Sequence, residues 1–180
     1  MNKELQEKQQ ILKQQLNTLL TTKNTLVLST INQQNLCDIG LIPFLYFENY
    51  FYILISELAA HTRNLQQNPH AALLIHLGDE SSNNPFTDQR VSFAVSTSVV
   101  DQVDLKASIL DKMQHKLGKT IALISGLKDF SLMRLKAKSG TLVVGFGAAY
   151  VIDVDSFELI HIDENKVKEI KRESDFKLNS

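Results

Sequence analysis

Apolar positions in the first twenty or so residues recur with a helical period. Leu12, Leu16, Leu19 and Leu20 fall on one face, and Gln, Lys and Glu fill most of the other positions. An amphipathic helix places its apolar residues three or four apart, so that one stripe of the helix faces a core. The pattern therefore predicts a helix over residues 3–21.

From residue 25 onward the apolar runs become short and rich in β-branched and aromatic residues, which is typical of strands. Hairpin signals at Glu48-Asn49 and at Lys138-Ser139-Gly140 join neighbouring runs. We predict about seven strands, over residues 25–31, 37–47, 50–56, 71–77, 91–100, 130–137 and 141–146, with 148–153 extending the last or forming another. Helical spacing returns at 59–67, 105–117 and 120–125. Runs of hairpins favour a mostly antiparallel sheet that closes into a barrel, with helices between or outside its strands.

Length and charge narrow the class of protein. At 180 residues the chain is most simply one domain with a substantial core. A net charge of -1 argues against a general nucleic-acid binder, which normally carries a basic excess. We expect no membrane span and a cytoplasmic location, because no apolar run is long enough for a bilayer and the first residues are polar.

Cys37 is the only cysteine in the chain. This count excludes an internal disulfide, a four-cysteine zinc site and a C-x-x-C-H haem attachment. Any haem would therefore be held without a covalent bond to cysteine.

The connection between the predicted strand 50–56 and the following helix gathers several polar side chains. Ser56, His61, Thr62 and Arg63 offer hydroxyls, an imidazole and a cation, and a helix start adds backbone N–H groups. This combination favours a site for an anionic ligand or cofactor. The alternative is a capped helix whose histidine packs against the sheet.

Three further residues are candidates for chemistry. Asp129 could orient a histidine or a water, or could simply cap a turn. Arg90 could bind a carboxylate or propionate with two hydrogen bonds, or could be a surface residue at a strand end. His161 could bind a metal or haem iron, or could be satisfied by a backbone carbonyl. Nucleophilic catalysis has weak support, because no serine or cysteine lies in a nucleophile motif.

Several blocks of sequence resemble the haem-utilisation proteins called HugZ and HutZ. The blocks, in chain order, are I-L-I-S-x-L-A-x-H-T-R-N-L at 53–65 with Asn68-Pro69, N-P-F at 84–86 with Arg90, L-x-D-F-x-L-x-R-L at 127–135, and G-F-G-x-A at 145–149. The resemblance covers roughly residues 5–165. The wider group is the pyridoxamine-phosphate-oxidase-like, FMN-binding split-barrel superfamily.

This resemblance implies an antiparallel split β-barrel that forms a homodimer with its ligands at the dimer interface. The barrel domain with its N-terminal helix would span 1–160, and the tail 161–180 would contribute to the pocket. The implied ligand is haem, degraded oxidatively with dioxygen and an external electron donor to release iron. The implied catalytic residues are Asp129 and Arg90, and the implied cofactor-binding residues are Thr25, Ser56, His61, Thr62, Arg63 and His161.

The iron ligand is where this chain departs from the family pattern. The family's axial histidine lies about five residues beyond the position of His161, and here Lys166 stands there. His161 is then the candidate iron ligand of this chain. Two other functions stay open: an FMN-binding oxidoreductase with Ser56, Thr62 and Arg63 near the phosphate, and a haem carrier or storage protein without catalysis.

Overall fold

The computed structural model describes residues 3–78 and 84–170. The helices are α1 (Lys3–Thr22), α2 (Ala60–Gln67), α3 (Val103–Leu117) and α4 (Thr120–Ser125). The strands are β1 (Thr25–Ile31), β2 (Cys37–Phe47), β3 (Tyr50–Ser56), β4 (His70–His76), β5 (Arg90–Val99), β6 (Phe130–Gly145), β7 (Ala148–Ile152) and β8 (Leu159–His161). A short 3-10 turn, Pro85–Thr87, precedes β5, and residues 164–170 are helical.

The strands form one antiparallel sheet in the order β3-β2-β1-β4-β5-β6-β7-β8. A further antiparallel pairing joins β3 to β6, so the first six strands in this order close into a barrel. Strands β7 and β8 extend the sheet beyond β6. The prediction of a mostly β, antiparallel barrel with helices is confirmed at this level.

Side chains alternate between the barrel interior and its outside. In β1 the buried residues are Leu26, Leu28 and Thr30, and the residues between them are more exposed. This alternation is what a strand with one face on a core requires. The predicted face of α1, which carries Leu12, Leu16, Leu19 and Leu20, is buried in the same core.

Strand β3 is buried on both faces, which explains its nearly unbroken apolar run. Phe51, Ile53 and Ile55 belong to the barrel core. Tyr52 and Leu54 belong to a second cluster, which includes Ile109 and Met113 of α3. A helix layer on the outside of the barrel therefore holds the strand that leads to α2.

The predicted hairpin turn at residues 138–140 is wrong, because β6 continues through it from Phe130 to Gly145. Gly140 pairs with Phe93 of β5, and a Cβ at Gly140 would lie 2.6 Å from the Phe93 ring. Glycine in a strand often marks such a close approach. The observed turn follows β6, at Phe146-Gly147, where Gly147 has φ +67°.

Part of the barrel's outside is apolar. Antiparallel pairing places Leu41, Val27 and Leu74 side by side on β2, β1 and β4. A neighbouring row runs from Ile39 past Ser29 and Ala72 to Ala94. Ile39 and Leu41 are 77% and 67% exposed. We call this surface, which consists of Val27, Ile39, Leu41, Ala72, Leu74 and Ala94, the outer apolar face.

No helix in the described ranges is both long enough and apolar enough to cross a membrane.

Candidate functional site

Ser56 and Asp129 form a hydrogen-bonded pair where β3 ends and β6 is about to begin. The Ser56 hydroxyl donates to Oδ2 of Asp129 at 2.7 Å and accepts from the Leu58 N–H at 3.2 Å. The Glu57 N–H also donates to the Asp129 carbonyl, at 2.8 Å. One carboxylate oxygen of Asp129 is thereby fixed, which leaves Oδ1 as the acceptor that could meet another group.

The neighbouring polar side chains of the same connection turn back onto their own backbone. Thr62 is 3% exposed, and its hydroxyl donates to the Ser56 carbonyl at 2.6 Å. The Arg63 guanidinium donates to the Leu58 carbonyl at 2.8 Å. These bonds stabilise the bend between β3 and α2, as local bonds from side chain to backbone commonly do.

His61 lies in the first turn of α2 and is partly buried. Burial lowers the pKa of its imidazole, because desolvation disfavours the charged form. The position of a Cβ on Gly40 would be 3.5 Å from His61 Nδ1, so the ring packs where β2 carries no side chain. His61 therefore packs against β2 at the start of α2, in surroundings that favour the neutral form of its ring.

Asn64 is a buried polar residue that the sequence analysis gave no role. Its amide donates to the Thr30 hydroxyl at 3.0 Å and to an Asp38 carboxylate oxygen at 2.7 Å. Buried polar groups are normally paired in this way. The pairing ties α2 to β1 and β2, and so fixes the position of the helix that carries His61.

A second group of predicted residues lies where β1 and β5 begin. Thr25 is the exposed first residue of β1, and Arg90 is the partly buried first residue of β5. An Arg90 Nη1 group donates to the Asp88 carbonyl at 3.1 Å. His161, at the end of β8, is exposed; its Nε2 lies 3.2 Å from the Gly147 carbonyl, and its ring meets Tyr150 edge-on at 5.2 Å.

These two groups lie apart along β6 within one chain. Ser56 pairs with Phe130 at the start of β6, whereas Arg90 pairs with Val143 thirteen residues further along β6. At about 3.3 Å per residue this is on the order of 40 Å of strand. We call the first group (Ser56, His61, Thr62, Arg63 and Asp129) the α2 end, and the second (Thr25, Arg90 and His161) the β5 end.

The β5 end contains a pair that the sequence analysis missed. His76 Nε2 lies 3.2 Å from Asp88 Oδ2, across the connection that joins β4 to β5. Twelve residues separate the two in the chain, so their spacing carries no motif. Only the register of β4 and β5, which places His76 opposite Arg90, brings them together.

Lys166 does not offer a ligand to iron in this structure. Its ammonium pairs with Glu169 at 3.0 Å, and its backbone N–H donates to the Asp163 carboxylate. A paired, protonated ammonium has no lone pair for a metal. The prediction about the tail extends to residue 180, and its last ten residues lie outside the described ranges.

The sequence model of the pyridoxamine 5′-phosphate oxidase family matches residues 12–143. This chain belongs to the pyridoxamine 5′-phosphate oxidase family. The match spans most of the barrel, including β3 and β5.

Within this family the chain is similar to haem-utilisation proteins, as the sequence blocks predicted. It is 30% identical over 148 residues to a protein described as heme oxygenase HutZ, from Vibrio cholerae, and the match covers 81% of this chain and 84% of HutZ. The crystal structure of HutZ, there described as a heme storage protein, matches with a TM-score of 0.68 and 27% identity over 74% of this chain and 94% of the other.

A third comparison shows the fold alone. The crystal structure of Campylobacter jejuni ChuZ matches with a TM-score of 0.77 at 24% identity and covers 85% of this chain. The match spans 63% of the ChuZ chain, so ChuZ contains a substantial part that this chain does not match.

Proposed function

We propose that this family member binds haem and functions in haem utilisation, with oxidative degradation of the bound haem as its activity. The observation that carries the proposal is the 30% identity to HutZ over 81% of the chain. The two descriptions of HutZ, as a heme oxygenase and as a heme storage protein, define the leading function and its alternative. A cytoplasmic location remains our prediction for this function.

We further propose that the site is completed by a homodimer. Along β6 of one chain, the partner of Ser56 is Phe130 and the partner of Arg90 is Val143, so the α2 end and the β5 end lie apart on this strand. A twofold axis across the barrel would bring the α2 end of one chain to the β5 end of the other, because such an interface uses the same patch on both chains. The outer apolar face supplies a patch of this kind, with Leu41 67% exposed.

The side chains in this arrangement suit haem. A haem presents a flat apolar ring and two carboxylates, which need an apolar wall and basic groups. The outer apolar face offers the wall and Arg90 offers a guanidinium that can bind a carboxylate with two hydrogen bonds. His161 is an exposed imidazole at the same end as Arg90, and we propose it as the iron ligand.

The proposed roles of the remaining residues follow from their contacts. Ser56 holds Asp129 so that Oδ1 of the carboxylate can accept a hydrogen bond from a ligating imidazole of the second chain. Carboxylates orient metal-bound histidines and raise their basicity in this way. The redox chemistry comes from the haem together with dioxygen and an external electron donor, while the protein positions the reacting groups.

A flavin at the same place receives less support. A flavin phosphate would need donors from Ser56, Thr62 and Arg63, but the Ser56 and Thr62 hydroxyls already donate within their own chain, and Arg63 directs Nη1 to the Leu58 carbonyl. The Asp129 carboxylate beside Ser56 would also repel a phosphate. A yellow protein with a flavin spectrum after purification would overturn the preference for haem.

Titration of the apo-protein with hemin tests the proposed binding. We expect a shifted Soret band that saturates near one haem per chain. A titration with no saturable shift would exclude both the haem-degrading and the haem-storing function.

Ascorbate and air, in the presence of catalase, separate the two haem functions. We expect the Soret band of the bound haem to disappear as the ring is opened, with release of iron that a ferrous chelator detects. Survival of the band with no iron release would favour storage.

The His161→Ala variant tests the proposed iron ligand, with Lys166→Ala as the matched control. We expect the His161 variant to lose the ligand-field spectrum of the hemin complex and the Lys166 variant to retain it. The reverse result would assign the ligand to Lys166.

A further inference from the structure

The imidazole of His76 is held by the carboxylate of Asp88 and lies beside Arg90. Nε2 of His76 lies 3.2 Å from Asp88 Oδ2, and the two side chains are 45% and 16% exposed. The other carboxylate oxygen of Asp88, Oδ1, is buried and has no hydrogen-bond partner among the described residues. A largely buried carboxylate that bonds one imidazole nitrogen orients the ring and leaves the other nitrogen, Nδ1, for a ligand.

The pair lies in the middle of the β5 end. His76 and Arg90 are directly opposed on β4 and β5, and opposed residues of an antiparallel pair project their side chains to the same face. On the other side of β4, Val27 pairs with Leu74, so Thr25 lies level with His76 two residues beyond that pair. His76 therefore stands between Thr25, which the family resemblance implies in cofactor binding, and Arg90, which it implies in catalysis.

A glycine lies beside His76 Nδ1. Gly78 has φ +56°, and a Cβ at that position would lie 3.6 Å from His76 Nδ1. A positive φ is a conformation that glycine adopts freely and that most other residues avoid. The conformation thus favours a residue without a side chain beside the free nitrogen.

The charges near His76 favour an anionic ligand. Arg90, opposite His76 on β5, contributes a permanent positive charge on the same face. Lys23 adds an ammonium that donates to the carbonyl of Leu77, the residue after His76. A protonated His76 would therefore present an Nδ1–H donor next to the Arg90 guanidinium.

We propose that His76 and Arg90 together bind a carboxylate group of the ligand, His76 through Nδ1 and with Asp88 holding its ring. The proposal rests on the proposed haem function, in which this carboxylate is a propionate. Asp88 is then a positioning residue, and His76 is a binding residue that neither the sequence analysis nor the comparisons assign. With Nε2 bonded to Asp88, Nδ1 can donate to the carboxylate only when both ring nitrogens carry a proton, so acid should favour this contact.

Hemin affinity of the His76→Gln variant at about pH 6 and about pH 8 tests this proposal. A charge-assisted hydrogen bond is stronger than a neutral one, so we expect affinity to fall about tenfold at the lower pH and clearly less at the higher pH. Asp88→Asn should weaken binding in the same direction, because the ring loses its orienting carboxylate. The matched control is His70→Gln, an exposed histidine at the other end of β4, which should bind as the wild type does.

Hemin with both propionates esterified separates a carboxylate contact from any other role of His76. The ester should bind the wild type and the His76 variant equally at both pH values. Equal hemin affinities of the wild type and His76→Gln, or an equal loss with the ester, would overturn the proposal while the haem function stands. A wild type that binds no hemin would instead overturn the haem function itself.

Discussion

At the scale of single residues, the α2 end is organised by hydrogen bonds rather than by charge pairs. Ser56 is the centre, because its hydroxyl bonds the Asp129 carboxylate and its carbonyl accepts from Thr62. The charged group of Asp129 is thus held by a neutral donor. A hydrogen bond from a neutral hydroxyl fixes the direction of a carboxylate but does not neutralise it. The negative charge can then act on a ligand.

The Ser56→Ala substitution should loosen Asp129. We expect the free energy of unfolding to fall by about 1 kcal/mol, the typical value for a lost hydrogen bond at a partly buried site. Denaturant unfolding measures this, and Ser92→Ala, on the exposed face of β5, is the control. Equal stabilities of the two variants would show that the bond to Asp129 contributes nothing measurable.

His61 should make folding stability depend on pH. Burial lowers its pKa in the folded chain, so the unfolded chain binds a proton at higher pH than the folded chain does. The stability that this group confers is therefore present above the ordinary range of histidine and is lost as the pH falls through it.

Denaturant unfolding of the wild type and of His61→Gln between about pH 8 and about pH 5 measures this effect. We expect the wild type to lose more stability than the variant over that interval. Parallel curves would contradict the burial argument for His61.

At the scale of elements, β6 is the longest strand and connects both ends of the site. It pairs with β3 over Phe130–Lys136 and with β5 over Met133–Val143. Its length depends on the absence of a side chain at Gly140, where the Phe93 ring of β5 passes. The strand therefore requires the glycine for packing.

The Gly140→Ala substitution tests this requirement. We expect a loss of about 1–3 kcal/mol in the free energy of unfolding, as is common when a close-packed site is overfilled. Phe93→Ala in the same chain should reduce the additional cost of the Gly140 substitution. Gly145→Ala in the same strand is the control, because a Cβ there meets no atom within 4 Å. Equal effects at the two glycines would exclude the packing explanation.

Most helices, strands and turns were predicted, because the residues that favour each of them lie within it. The Glu48-Asn49 hairpin was predicted, and both residues adopt the positive φ angles that such turns use. The signal Lys138-Ser139-Gly140 was read as a turn, and here the prediction failed, since the contact of Gly140 is with Phe93, nearly fifty residues away. Turn propensity and close packing select the same residue, and only the tertiary structure separates them.

The same distinction applies to the candidate site. Ser56, Thr62 and Arg63 could be predicted as a group because they lie on one connection. Two other contacts join residues that are separated in the sequence: Ser56 with Asp129, and His76 with Asp88. These residues meet only because of the way the strands pair. No pattern along the sequence encodes such pairs.

At the scale of the whole molecule, the outer apolar face should mediate association of two chains. We expect the wild type to have a solution mass near twice the 20.3 kDa of one chain, and Leu41→Lys to shift it toward the single-chain value. A lysine on this face would be buried without a partner in the dimer, which is costly. Light scattering after size exclusion measures the mass.

Leu123→Lys is the matched control for this experiment, because Leu123 is also largely exposed but lies on α4. We expect it to leave the mass unchanged. A wild type with the mass of one chain would contradict the proposed dimer. It would also contradict the proposed site, which combines the α2 end of one chain with the β5 end of the other.

The proposed division of the site between the α2 end of one chain and the β5 end of the other has a genetic consequence. In the proposed dimer each site takes half of its residues from each chain, so two differently damaged chains can complement each other. A hybrid of an Asp129 variant and an Arg90 variant holds one site with both defects and one site with neither. A chain that carries both substitutions instead damages both sites of any dimer it joins, and would act dominantly over the wild type.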